Sequence, residues 1–156
     1  MSVASARIGF IAFAALIGLS MSALLVIYTG ASIGRAFFAT AAAFASLSLY
    51  GYTTRRDLSS MGSFMMMGVV GLVVASLLNL FLHSSGLQFG ISIVAVVIFA
   101  GLTASDTQSI KEMYYEGDGY EAVQKKSIFG ALRLYLDVIN MFQAILYLTG
   151  SNRNDR

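Results

Sequence analysis

MGSFMMMGVVGLVVASLLNLFLHSSGLQFGISIVAVVIFAGLTAS, residues 61–105, holds no Asp, Glu, Lys or Arg, and how it divides decides the fold. One helix crossing the hydrocarbon core takes about 20 apolar residues, so this run is too long for one crossing and long enough for two. His83-Ser84-Ser85-Gly86 inside it reads as a polar turn. Spans are therefore expected at about 61–82 and 87–106, the latter with helical extension to about 115. Working outward, further uncharged runs predict spans at about 8–28, 36–54 and 128–149.

The whole composition agrees. Hydrophobic residues make up 57% of the chain, charged residues 12%, and the mean hydropathy is +0.75, far from a soluble domain. The expectation is one all-α transmembrane domain over residues 1–156, a polytopic transmembrane helix bundle of five spans with the last one central. A β-barrel is disfavoured, because the segments lack apolar and polar alternation and are about twice the length of a tilted strand. The first run follows Arg7 like a signal peptide, but its apolar core is longer than such a peptide needs and more spans follow. Ala, Gly and Ser crowd AFFATAAAFASLSLYGY, residues 36–52, as tight helix packing in lipid requires. The methionines of FMMMG fit the same packing account.

Loop basic residues set the orientation. Arg7, Arg55, Arg56, Lys111, Lys125 and Lys126 fall on one side, and Arg35, Arg153 and Arg156 on the other, which places the N-terminus in the cytoplasm. The chain has no cysteine and a single histidine, His83, so disulfides, thiolate chemistry and His-cluster metal sites are excluded. A net charge of +2 from scattered residues does not point to nucleic acid. Walker A, Gly-x-Ser-x-Gly and HExxH patterns are all missing, so hydrolase and ATPase readings have no support and the chain is not expected to be an enzyme.

The chemistry rests on two acids, Asp106 and Asp137, at or inside apolar spans. On a helix of 3.6 residues per turn Arg133, Asp137, Asn140 and Ala144 share one face with Tyr147 close by, and charged groups within a span turn to the bundle interior or a wet cavity. Were the loop to run over residues 116–127, Asp106 and Asp137 would sit equally deep, roughly 15 Å from their helix ends at about 1.5 Å per residue. Two carboxylates meeting there cannot both ionise cheaply. A shared proton would latch their helices; loss of it would part them or admit a cation. A hard cation such as calcium wants several oxygens, which Asp106, Asp137, Asn140, Thr103 and Ser105 would offer. Arg133 stands one turn from Asp137 and so would modulate the pKa of the pair. A plainer alternative makes Asp137 the neutralised partner of Arg133 and leaves Asp106 at a helix end in water. Asn79 reads as an interhelical hydrogen-bond partner, His83 as an interfacial residue, and Glu112, Glu116, Asp118 and Glu121 as a solvated face.

YTGASI (28–33), SLYGYTTRRDLSSMGSF (48–64), FAGLTASDTQSIKEMYYEGD (99–118) and GALRLYLDVINMF (130–142) together resemble the bacterial branch of the Bax inhibitor-1 family over nearly the whole chain. The resemblance implies an integral, multi-pass protein of the bacterial inner membrane and a pH-sensitive calcium leak latched by an aspartate pair, matching Asp106 and Asp137. It implies no cofactor, with calcium as permeant ion, and the lipid bilayer and calcium ions as partners. Some bacterial relatives are linked instead to control of a membrane protease, which makes a non-conducting regulator the alternative. Family members usually carry seven spans, with two upstream of the block that begins near Arg7, one of which supplies a glutamate to the pathway. Two further helices, or a partner, are thus expected to complete the bundle. At Arg133 the family more often has a small residue.

Overall fold

The computed structural model describes residues 1–155; the side chain of Asp155 and all of Arg156, counted above among the basic residues of one end, lie outside the described part. Helices α1 (Val3–Met21), α2 (Leu24–Ile27), α3 (Gly30–Thr53), α4 (Ser59–Leu82), α5 (Ser85–Glu112) and α6 (Tyr120–Thr149) follow one another, with a short 3-10 turn at Arg153–Asp155. The chain is an all-α bundle, and its described residues include five helical segments long and apolar enough to cross a membrane, α1 and α2 together forming the first.

Local chemistry sets the ends of these helices. Ser2, Thr29 and Ser84 each accept a backbone N–H through their side-chain oxygen at the first turn of α1, α3 and α5, satisfying a donor the helix cannot. The polar turn at residue 83 is tighter than the tetrapeptide suggested. His83 adopts the left-handed conformation that ends α4, and α5 begins at Ser85. Inside the spans, Thr40, Ser46, Ser92, Thr103 and Thr107 return their hydroxyl protons to carbonyls one turn back, so polar side chains survive where lipid offers no partner.

α5 packs against α3, α4 and α6, and α6 against α1, α3 and α5, so α6 is central as expected but shares that place with α5. Close approach depends on missing side chains. A Cβ on Gly51 would strike the Ala104 backbone carbonyl, so only glycine lets α3 lie this close to α5, and one on Gly62 would crowd the Ser105 hydroxyl where α4 meets α5. Around this core, α4 carries no buried residue, and Phe64, Met67, Leu80 and Phe81 are among its exposed side chains. Such a surface suits acyl chains, not water.

Each end of the bundle is tied by polar contacts. At one, Arg7 Nη2 donates to Gln124 Oε1 at 2.5 Å and Lys111 Nζ to the Tyr52 carbonyl at 2.7 Å. At the other, Tyr28 pairs antiparallel with Asn152, and the Ser151 N–H donates to Ser32 Oγ at 2.9 Å. Apart from Arg133, inside α6, the described basic residues fall on these two ends as the sequence predicted.

Candidate functional site

The α5–α6 hairpin departs from expectation at both edges. α5 stops at Glu112, not near residue 115, and α6 begins at Tyr120, well before residue 127, so Asp106 is six residues, or about 9 Å, from its helix end. The symmetric loop that argued for equal depth does not exist. The acids are nevertheless side by side, because α6 starts below the end of α5 and runs up alongside it. Lys126 fixes this offset by donating to the Met113 carbonyl at 2.9 Å and pairing with Asp118 at 2.5 Å. Gly130 then faces Ile110. Higher up, Arg133 and Asp137 arrive at Asp106.

Arg133 Nη2 donates to Asp106 Oδ1 across the two helices, and Nη1 lies 3.4 Å from Ser109 Oγ. This overturns the plainer alternative: the arginine pairs with the acid of the neighbouring helix, not with Asp137 one turn along its own. Nor is Asp106 a residue in water, since both acids are only 4% exposed. Asp137 Oδ2 is buried and faces no donor among the described residues. Asp106 and Asp137 line the same cavity, and two carboxylates can bond to one another only with a proton between them.

Two cavities meet at this cluster. One, about 310 Å³ and lined by Ser59, Ser63, Gln108 and Glu112 among others, opens toward the end that carries most of the basic residues. The other, about 700 Å³, runs between α4, α5 and α6 toward the opposite end, past Gln88, Ser92, Asn140, Gln143 and Tyr147. Met66, Leu102, Asp106 and Arg133 line both. The ion pair is thus the partition between them, with Asp137 just on the larger side.

Asn140 lines the larger cavity as expected; its Nδ2 donates to the Leu136 carbonyl at 2.7 Å. Thr103 does not belong to the path. It is wholly buried, bonded to the Phe99 carbonyl, and lines neither cavity. Its position is about 60° round α5 from Asp106, on the Ile110 side that packs against α6. The stripe of α5 that does face the cavity, through Gln88, Ser92, Phe99, Leu102 and Asp106, was legible from three- and four-residue spacing back from Asp106. Gln108 was also missed. Its amide receives the Leu58 N–H at 2.8 Å and donates to the Arg56 carbonyl at 2.6 Å, fastening the α3–α4 loop beside the smaller cavity. Asn79 bonds across the α4–α5 turn to Gln88 and the Ser84 N–H.

Among the described residues no group of three or more His, Cys, Asp or Glu could hold a metal ion. At Asp106 the Arg133 guanidinium occupies the position a cation would take.

Five apolar spans around a buried acid pair and an arginine define a multi-pass integral membrane protein with an ionisable centre. The chain matches the family model described as "Inhibitor of apoptosis-promoting Bax1" over residues 2–154, and it belongs to the Bax inhibitor-1 family. It is 51% identical over 99% of its length to a Rickettsia prowazekii protein, covering 65% of that relative. It is 50% identical to a Caulobacter vibrioides protein over 88% of its length and 56% of the relative's. Identity to the inner membrane protein YbhL of Escherichia coli K12 is 44%, over 92% of this chain and 62% of YbhL. The chain therefore spans less than two thirds of the length of these relatives, and its place is the bacterial inner membrane.

Proposed function

We propose that this chain forms part of a proton-regulated cation leak, with calcium as the permeant ion. The observation that supports this reading is the position of the Asp106–Arg133–Asp137 cluster, between two cavities that open toward opposite ends of the bundle. With one proton shared by the acids, the cluster carries no net charge and its helices are held together. Loss of that proton leaves a net negative charge in a low-dielectric setting, which repels the helices and favours a cation. The remaining charged group facing the smaller cavity is Glu112, and α4 contributes none. Flux is accordingly expected to rise with pH.

Passage also requires Arg133 to leave Asp106. Its side chain is 42% exposed, so it has room to swing into the smaller cavity. A calcium ion passing the cluster would meet the two carboxylates and the Asn140 amide oxygen, a hard-oxygen set of the kind it prefers.

Calcium flux through purified protein in liposomes, followed across a pH series, tests the proposal. Asp137→Asn mimics the protonated acid and is expected to give low flux that no longer responds to pH. Arg133→Gln removes the plug and is expected to raise flux at every pH. Flux indifferent to Asp106→Asn and Asp137→Asn would instead favour a non-conducting regulator that acts on another membrane protein, such as a protease.

A further inference from the structure

The smaller cavity is lined by three charged side chains, Asp106, Arg133 and Glu112, and they are unequally matched. Arg133 is bound to Asp106, and the other ion pairs among the described residues join Lys125 to Glu121 and Lys126 to Asp118. Glu112 is left without a basic partner among these residues. Its neighbour Lys111 is engaged elsewhere, with Nζ donating to the Tyr52 carbonyl and lying 5.2 Å from the centre of the Tyr52 ring. Asp106, Ser109 and Glu112 follow one another at three-residue spacing along α5, which makes each the neighbour of the next on the helix surface.

The guanidinium already spans the first of these two steps, since Nη2 donates to Asp106 and Nη1 lies 3.4 Å from Ser109 Oγ. One further turn, about 5 Å along the axis, brings it level with Glu112. That turn is also where α5 ends, and the partial negative charge of the last carbonyls favours a cation there. The Arg133 side chain is 42% exposed and Glu112 is exposed, so both have room to move. We infer that Glu112 is the second station of Arg133: when the guanidinium leaves Asp106, Glu112 and the carbonyl end of α5 receive it, with the Ser109 hydroxyl between. Arg133 is then a tethered cation that exchanges one acid for another, so that leaving Asp106 does not strand its charge. Glu112 acts through the arginine, as a positioning residue. Its effect on flux rests on the proposed leak, whereas the two stations of Arg133 are read without conduction.

Unfolding midpoints of the full chain in detergent give the first test. Glu112→Gln is expected to change the midpoint little in the native background, where Asp106 holds the arginine. In an Asp106→Asn background, where Glu112 is the partner left, it is expected to lower the midpoint by about 2 °C. That loss should vanish once Arg133→Gln is added. A loss equal in all three backgrounds, or none in any, overturns the inference. A second variant keeps Asp106 intact: in Arg133→Lys, carbodiimide coupling of amines to carboxylates, mapped by mass spectrometry, is expected to trap an amide between position 133 and Glu112. A product at Asp106 alone overturns it. In liposomes, Glu112→Gln should lower calcium flux about threefold, the worth of one part-exposed ion pair, and should have no effect when Arg133→Gln is present. A loss that persists without the arginine would make Glu112 a simple attractor of cations at the cavity mouth and overturn its role as a station. A chain that conducts nothing fails the leak proposal alone, and the midpoints and coupling products then decide where the arginine goes.

Discussion

Asp106 and Asp137 are equally buried and oppositely provided for. Asp106 has the Arg133 guanidinium, whereas Asp137 Oδ2 has no donor among the described residues. Replacing a buried polar group that lacks a full set of partners with an apolar group of similar size commonly stabilises, while removing one half of a buried ion pair destabilises. Asp137→Leu is therefore expected to raise stability by about 1–3 kcal/mol. Asp106→Leu is expected to lower it by about 1–3 kcal/mol, less than for a fully enclosed pair because Arg133 is partly exposed. Thermal unfolding in detergent distinguishes the two, and equal signs would contradict the assignment of the arginine. An acid retained against stability is what a functional group looks like inside a membrane. The sequence identified these three residues, because charges within apolar runs stand out. Which acid holds the arginine was not legible: helical spacing favoured Asp137, and contact across the hairpin won.

Between elements, close backbone approach and a polar clasp do the fastening. Gly51 and Gly71 make a clean contrast, since a Cβ at Gly51 would strike the Ala104 carbonyl and one at Gly71 meets nothing within 4 Å. Gly51→Ala is expected to cost about 1–3 kcal/mol by overpacking, and Gly71→Ala nothing measurable. Gln108 is the clasp. Gln108→Ala would leave the Leu58 N–H and Arg56 carbonyl without their partner and is expected to cost about 1–3 kcal/mol, read from the same unfolding midpoints. Small residues at helix contacts were visible in composition; their partners were not. Gln108 went unnoticed because a glutamine near a helix end looks like surface until a loop folds onto it.

For the whole molecule, orientation is the open quantity with the sharpest test. The end with Arg7, Arg55, Arg56, Lys111, Lys125 and Lys126 should face the cytoplasm. The chain has no cysteine, so single-cysteine variants start from a blank background. Glu116→Cys is expected to resist, and Asn152→Cys to react with, a membrane-impermeant maleimide added outside intact cells. Both positions are exposed. The reverse pattern would invert the bundle and place the smaller, polar cavity on the outer side.

The sequence by itself determined the class of fold and the number of crossings, because a hydrocarbon slab imposes a length on every apolar run and a location on nearly every charge. It also marked the ionisable residues worth attention. Only the tertiary structure decided how they meet. The offset of α6 along α5, set by glycine contacts and the Lys126 bonds, brings Arg133 to Asp106, takes Thr103 out of the path, and leaves Asp137 at the floor of a cavity. That offset is a relation between two helices, and nothing in the periodicity of either one contains it.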